Sequence, residues 1–288
     1  MEKHQINFTT SRFQQHGWIW QYPESERNSE QRLVLIHGAG VAGELTWTYL
    51  ANYLDAWQEI LVLDLAGMGS EFLQLPDAPQ VNDYALQLAE VLEALDWTQF
   101  DLAGYSFGGM VAVEFIERYF RSLSGETFNG LLFLLEPAML FSAATADLAK
   151  KAQEYQQIAA AVRANPEDVE VYRAFLDSVS PARRQDPASD RLTMKRLSQR
   201  PQSFAAVLQA VSQQLMLCGD NYRHWQSPYS GMSFVGGLSP GVMKQRHQQL
   251  QHQSRDWQFV EVPGADHSLV FTKPRGIARR MNERKRPE

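Results

Sequence analysis

Four short apolar runs, each separated from the next by an amphipathic stretch, limit what this chain can fold into more than any other feature. RLVLIHG (residues 32–38), EILVLDLAG (59–67), FDLAGYS (100–106) and GLLFLLEP (130–137) are continuously apolar over four or five residues instead of alternating. A strand of that kind is covered on both faces. The segments between them, ELTWTYLANYLDAW, VNDYALQLAEVLEALDW and GGMVAVEFIERYF, repeat apolar residues every three or four positions, as helices do that turn one stripe to a core. Strand and helix in alternation imply right-handed crossovers and a mostly parallel α/β sheet with helices on both faces. Two further strands are expected in SGMSFVGG (230–237) and DWQFVEVPG (256–264).

Residues 139–228 break the pattern. They are rich in Ala, Gln and Arg, carry helical runs such as ADLAKKAQEYQQIAAAV and SFAAVLQAVSQQLM, and contain no convincing strand. The expectation is a helical lid inserted over the C-terminal edge of the sheet, with residues 1–138 and 229–288 forming the α/β core. The competing expectation packs these helices on a sheet face. A length of 288 residues suits one large domain with such an insertion. The basic end, RRMNERKRPE, reads as the solvated end of a last helix.

The net charge of -6 gives no field that would recruit nucleic acid or an anionic membrane. No apolar run is long enough to span a bilayer. The first 18 residues, MEKHQINFTTSRFQQHGW, lack the apolar core of a secretory signal. The single cysteine, Cys218 in LMLCGD, excludes an internal disulfide and fits a reducing compartment, its apolar neighbours marking an inert thiol. A cytoplasmic protein is expected.

Within DLAGYSFGG, Ser106 has Gly104 two residues before it and Gly108 two after, where a strand ends and a helix begins. The G-x-S-x-G spacing there makes a nucleophile elbow, a strained turn that lifts the serine Oγ above the sheet edge, and the glycines avoid collisions with neighbouring backbone. The following helix aims N–H groups and its positive dipole end at an oxyanion. A second G-x-S-x-G, GLSPG at 237–241, carries Pro240 after its serine. Proline has no N–H to give an oxyanion, so this copy reads as a loop.

Taken in order, LVLIHGAG, LVLDLAGMGS, LAGYSFGG and VPGADHSLV resemble the α/β-hydrolase superfamily over about residues 31–275. The resemblance implies that the backbone N–H groups of Ala39 and Phe107 form an oxyanion hole. It implies that His267, in GADHS after the last strand, takes the serine proton, and that His37 holds the shape of the oxyanion loop. His4, His16, His224, His247 and His252 have no such context. With a serine at 106, the resemblance excludes the dehalogenase and epoxide-hydrolase chemistries, which need aspartate there.

In many relatives the acid follows the penultimate strand in a segment resembling G-x-x-D-P. Here that stretch reads FVGGLSPGV, with Ser239 at the position of the aspartate. Other relatives place the acid one strand earlier, where this chain has Glu136, preceded by five apolar residues and followed by Pro137. Glu136 is therefore expected to support His267, with Asp266 and Asp220 as weaker alternatives.

GAGVAG (38–43), followed 21 residues later by Asp64, also satisfies a dinucleotide-binding fingerprint. It explains neither the elbow nor GADHS, so no cofactor is expected. No His/Cys/Asp group has metal-ligand spacing, and none is expected to bind metal. The chemistry implied is hydrolysis of a small-molecule carboxylic ester or thioester through an acyl-enzyme. C–C bond hydrolysis, lactone opening and acyl transfer are the alternatives on the same residues, and a catalytically silent binding protein of the same fold is the alternative of a different class. Met139, Phe141 and Trp225 are expected to line the substrate pocket. The arginines at 183, 184, 191, 196 and 200 read as a solvated helix face rather than a headgroup site.

Overall fold

The structure, a computed structural model, describes residues 1–23, 31–74, 76–184 and 186–284. All six expected strands form: β3 (Arg32–Ile36), β4 (Glu59–Leu63), β6 (Asp101–Tyr105), β7 (Leu132–Leu135), β8 (Gly231–Gly236) and β9 (Trp257–Val262). They lie parallel in the order β4-β3-β6-β7-β8-β9. Their continuous apolarity has the expected cause. In β3, Leu33 and Leu35 join the core on one face while Val34 and Ile36 join the core on the other; β4 divides Ile60 and Val62 from Leu61 and Leu63 in the same way. Burying one such side chain stabilises the fold by roughly 1.5–3 kcal/mol.

The sheet also extends in a direction not expected from the sequence. β1 (Glu2–Thr9) and β2 (Phe13–Gln21) form an antiparallel hairpin, β2 runs antiparallel to β4, and the short β5 (Glu71–Phe72) pairs with β2. These strands cover the edge of the parallel sheet and keep one face wet. Their alternation is interrupted by a buried Gln15, which donates to Thr10 Oγ1 and accepts from the Gln87 side-chain amide.

One face of the sheet carries α1 (Gly43–Ala51), α10 (Leu269–Thr272) and α11 (Pro274–Glu283); the other carries α2 (Val81–Ala94), α3 (Phe107–Arg118) and α4 (Phe120–Ser124). α9 (Gly241–Gln253) packs on β8 and β9. Between β7 and β8 come α5 (Thr145–Ala164), α6 (Val169–Val179), α7 (Pro187–Leu197) and α8 (Pro201–His224), and the described residues of 139–228 hold no strand. α5 lies along α8, α6 against α5 and α7 against α6. Their apolar residues join the core on the α2–α3 face. The basic segment from 279 ends α11, but it is not simply solvated: Met281 is buried and Arg284 pairs with Asp256, while residues 285–288 lie outside the described residues.

The chain steps from β3 to β4 on one side, then crosses back to β6 on the other. Loops leaving β3 and β6 therefore separate above adjacent strands, and such a switch point leaves a crevice at the C-terminal sheet edge. α8 sits over it. A Cβ on Gly40 (φ 76°) would press on Leu197 and Phe204, and one on Gly67 (φ 81°) would meet Ser203. At its far end, the buried Arg246 of α9 donates to the carbonyls of Tyr222 (3.0 Å) and Trp225 (2.6 Å). Burial lowers the Arg246 pKa to about 10, which leaves it cationic at neutral pH. Among the described residues no helix is long and apolar enough to cross a membrane.

His247, beside Arg246, is fully buried with its ring 6.0 Å from that of Phe259, and burial lowers its pKa to about 3. In the unfolded chain it titrates near about 6.5. Between those values the unfolded state holds the extra proton, so stability falls as pH drops through that window. The urea midpoint of the protein should decline from pH 6.5 to 4. His247→Leu should decline less over the same interval, whatever its stability at pH 7.

Candidate active site

The turn after β6 is forced by crowding. A Cβ on Gly104 would overlap the Gly108 carbonyl and come within 2.5 Å of Gly109 Cα; one on Gly108 would overlap the Ile36 oxygen and reach 2.5 Å from the His37 oxygen. Ser106 is left at φ 54°, ψ -117°, a region that costs a non-glycine residue on the order of 1–3 kcal/mol. Hydrogen bonds hold it there: its N–H donates to Leu135 O (2.9 Å), and its carbonyl accepts from the N–H groups of Ala138 (3.0 Å) and Gly109 (3.1 Å). The side chain faces the crevice at the start of α3.

His267, on the loop after β9, reaches the same point. Its Nε2 lies 3.1 Å from Ser106 Oγ and its Nδ1 lies 2.7 Å from Glu136 Oε2. A carboxylate at Nδ1 fixes the proton there and leaves the Nε2 lone pair for the serine hydroxyl. The imidazole lies over Tyr105 at 5.2 Å between ring centroids, and Tyr105 donates its hydroxyl to the His267 carbonyl at 2.8 Å. Burial raises the Tyr105 pKa well above its usual value, so the phenol remains a donor.

Glu136 closes β7 at φ 41° with its side chain wholly buried. Oε1 accepts from the Gly236 N–H at 2.7 Å and from Ser239 Oγ at 2.5 Å, which leaves Oε2 for His267. The structure brings Ser106, His267 and Glu136 together. It turns the two alternative acids away: Asp266 accepts from the N–H and hydroxyl of Ser268, and Asp220 is exposed beside Arg223. The second G-x-S-x-G is the turn between β8 and α9, and its Ser239 points at Glu136.

His37 is buried in the loop after β3. Its Nε2 accepts from the Leu65 N–H (2.9 Å), so Nδ1 carries the proton and donates to Gly38 O (2.7 Å). Burial lowers its pKa, and the ring is a fixed neutral brace for the loop that carries Ala39. Phe107 opens α3, where the first N–H groups of a helix lack intrahelical partners. The G-x-G-x-x-G segment serves packing: Asp64 accepts from the Gly43 N–H at 2.5 Å, and a Cβ on Gly43 would stand 2.9 Å from both Leu63 O and Val62 Cγ1.

Two cavities meet at Ser106 and His267. One, of about 410 Å³, runs from Pro137 and Phe141 past Tyr155 to Met243; the other, of about 200 Å³, lies between the Gly38–Ala39 loop, α7 and α10. Val179 is common to both. Phe141 lines the larger, but Met139 and Trp225 line neither. Met139 turns into the core, and Trp225, past the end of α8, packs edge-on against Trp257 and donates to Glu117. The sequence reading missed Val179, Met243 and the cavity-facing stripe of α7. Ser189, Leu192, Thr193, Arg196 and Leu197 recur at three- and four-residue spacing, a legible signal. Cys218 is a free, half-buried thiol whose pKa burial raises. Among the described residues no three His, Cys, Asp or Glu side chains are grouped to hold a metal ion.

Residues 33–280 match the alpha/beta hydrolase family, and the chain belongs to that family. Over 91 residues it is 32% identical to a 2-hydroxy-6-oxo-2,4-heptadienoate hydrolase from Pseudomonas putida, a match spanning 30% of this chain and 32% of that relative. Its fold is similar to that of a thermophilic esterase from Thermogutta terrifontis (TM-score 0.69, 17% identity, 97% of each chain). It is likewise similar to that of an epoxide hydrolase, CorEH (TM-score 0.69, 15% identity, 97% of each chain).

The contact between Ser239 and Glu136 can be tested without any assay of activity. In Ser239→Asp a second carboxylate faces the first, and the pair shares a proton. The folded state then holds more protons than the unfolded one above about pH 4, so stability falls as pH rises. Denaturation of Ser239→Asp should show stability lost, relative to the parent, between pH 5 and 8; Ser239→Asn should show no such trend.

Proposed function

We propose that the protein is a serine hydrolase that cleaves a carboxylic ester or thioester through an acyl-enzyme. The carrying observation is the run of contacts from Ser106 Oγ to His267 Nε2 and from His267 Nδ1 to a buried Glu136. In this reading Ser106 Oγ attacks the carbonyl carbon while His267 Nε2 takes its proton. The N–H groups of Ala39 and Phe107 receive the negative oxygen, aided by the positive end of α3. Collapse of the tetrahedral intermediate expels the leaving group with the proton from His267. Water then repeats the sequence on the acyl-enzyme and frees Ser106. Glu136 stabilises the imidazolium through both steps. Residues 139–228 act as a lid on a core made of 1–138 and 229–288, excluding water from the crevice and supplying one wall of each cavity.

The likeness to an epoxide hydrolase extends to the fold alone, and serine at 106 favours acyl transfer over attack on an epoxide. The similarity to a 2-hydroxy-6-oxo-2,4-heptadienoate hydrolase supports a second reading, in which the same groups act on a dienoate of that kind. Both belong in the first substrate panel.

A fluorophosphonate should label the protein once, at Ser106, and Ser106→Ala should lose both the label and 4-nitrophenyl ester hydrolysis. A label on Ser239, or turnover that survives Ser106→Ala, would refute the reading. Glu136→Gln keeps shape and removes charge, so kcat should drop by roughly 10²–10⁴ with little change in KM. Near-normal turnover there, with collapse in Asp266→Asn, would reassign the acid.

A further inference from the structure

The five arginines of residues 183–200 do not share one environment. Arg183 is engaged with Asp177 and Asp190, and Arg200 donates to Met68 O at 2.7 Å. Arg184 and Arg191 are exposed. Arg196 is different: it is half-buried on the cavity side of α7, and no carboxylate among the described residues pairs with it.

We propose that the smaller cavity is an anion subsite and that Arg196 is its recognition group. The substrate then carries a carboxylate a few bonds from the carbonyl that Ser106 attacks. This rests on Ser106 being the nucleophile. Two observations direct the anion to this side. Among the described residues, Arg196 is the one Lys, Arg, Asp or Glu side chain on the wall of the smaller cavity, where the hydroxyls of Ser180 and Thr193 and the apolar Phe175 and Leu197 also line it. The larger cavity carries both signs. Asp147, Glu154 and Asp177 line it alongside Lys150 and Lys151, and Lys151 is already bonded to Glu154 (2.8 Å) and Ser178 (2.8 Å). An anion in the larger cavity meets carboxylates beside both lysines, whereas no carboxylate lines the smaller cavity beside Arg196.

Chemistry and size narrow the ligand further. A partly desolvated guanidinium without a partner is costly, and its planar fork matches a carboxylate through two parallel hydrogen bonds. A volume of about 200 Å³ takes a carboxylate on a short chain and is too small for a nucleotide-bearing headgroup. The α7 stripe places Arg196 one turn from Leu192 and Thr193, on the wall that faces Ala39 and Ser106.

The test pairs monomethyl glutarate, an anion, with dimethyl glutarate, its neutral counterpart. Binding of each is measured calorimetrically to Ser106→Ala, with and without Arg196→Gln or Arg196→Lys, and turnover is measured in the Ser106 background. Arg196→Gln should weaken monomethyl glutarate about tenfold or more and leave dimethyl glutarate within about twofold, with Arg196→Lys in between. A merely structural role would weaken both alike. Equal weakening, or no preference for the anion in the parent, overturns the proposal. If binding of the anion depends on Arg196 but the protein hydrolyses neither ester and takes no fluorophosphonate label, the subsite stands and the hydrolase reading falls. If dimethyl glutarate is hydrolysed and Arg196→Gln changes nothing, the subsite alone falls.

Discussion

The first turn of α3 runs so close to the end of β3 that a single methyl on Gly108 would overlap the Ile36 carbonyl. That backbone contact is what the site depends on, because it leaves Ser106 no ordinary conformation and holds its Oγ in the crevice. The strain is on the order of 1–3 kcal/mol. Against it stand the hydrogen bonds to Leu135, Ala138 and Gly109, each contributing about 0.5–1.5 kcal/mol, and the buried side chains of β3, β6 and β7, each contributing about 1.5–3 kcal/mol. A strained serine is therefore affordable only at the centre of a sheet covered on both faces, and the continuous apolar runs are what cover it.

Glu136 poses a harder electrostatic problem, since an isolated buried carboxylate is destabilising by several kcal/mol. Neutral donors resolve it. Gly236 and Ser239 spend their hydrogen bonds on Oε1, and the remaining oxygen faces His267. The ends of β7 and β8 lie close enough that residue 239 touches the acid. The geometry that allows a carboxylate on either strand thus disfavours one on both, and a serine at 239 accompanies a glutamate at 136 for a physical reason.

What the sequence disclosed follows the same logic. The parallel strands were legible because burial on both faces leaves an unbroken apolar run, and Ser106, His267 and Glu136 were legible because each ends or follows such a run. The hairpin of β1 and β2 was not, because its wet face carries His16 and its buried face carries Gln15, which Thr10 and Gln87 satisfy. Met139 and Phe141 stand two residues apart in one turn, yet one enters the core and the other the cavity. No periodicity assigns sides within a turn. The helical phase of α7 was readable, but which side of the helix met the crevice depended on tertiary contacts made by Leu197.

That contact joins two halves of the site. Gly40 sits at φ 76° with no Cβ, so the loop carrying Ala39 can turn beneath Leu197 of α7 and Phe204 of α8. α8 is held at both ends, by this packing and by Arg246 at its C-terminus. α7 reaches the core with Met194 and with Leu197, which lies over the same glycine. The loop that carries Ala39 and the helix that carries Arg196 therefore meet at one contact. A side chain at residue 40 would have to displace both, so the loop after β3 and the helices above it are set in register by the absence of a single methyl group.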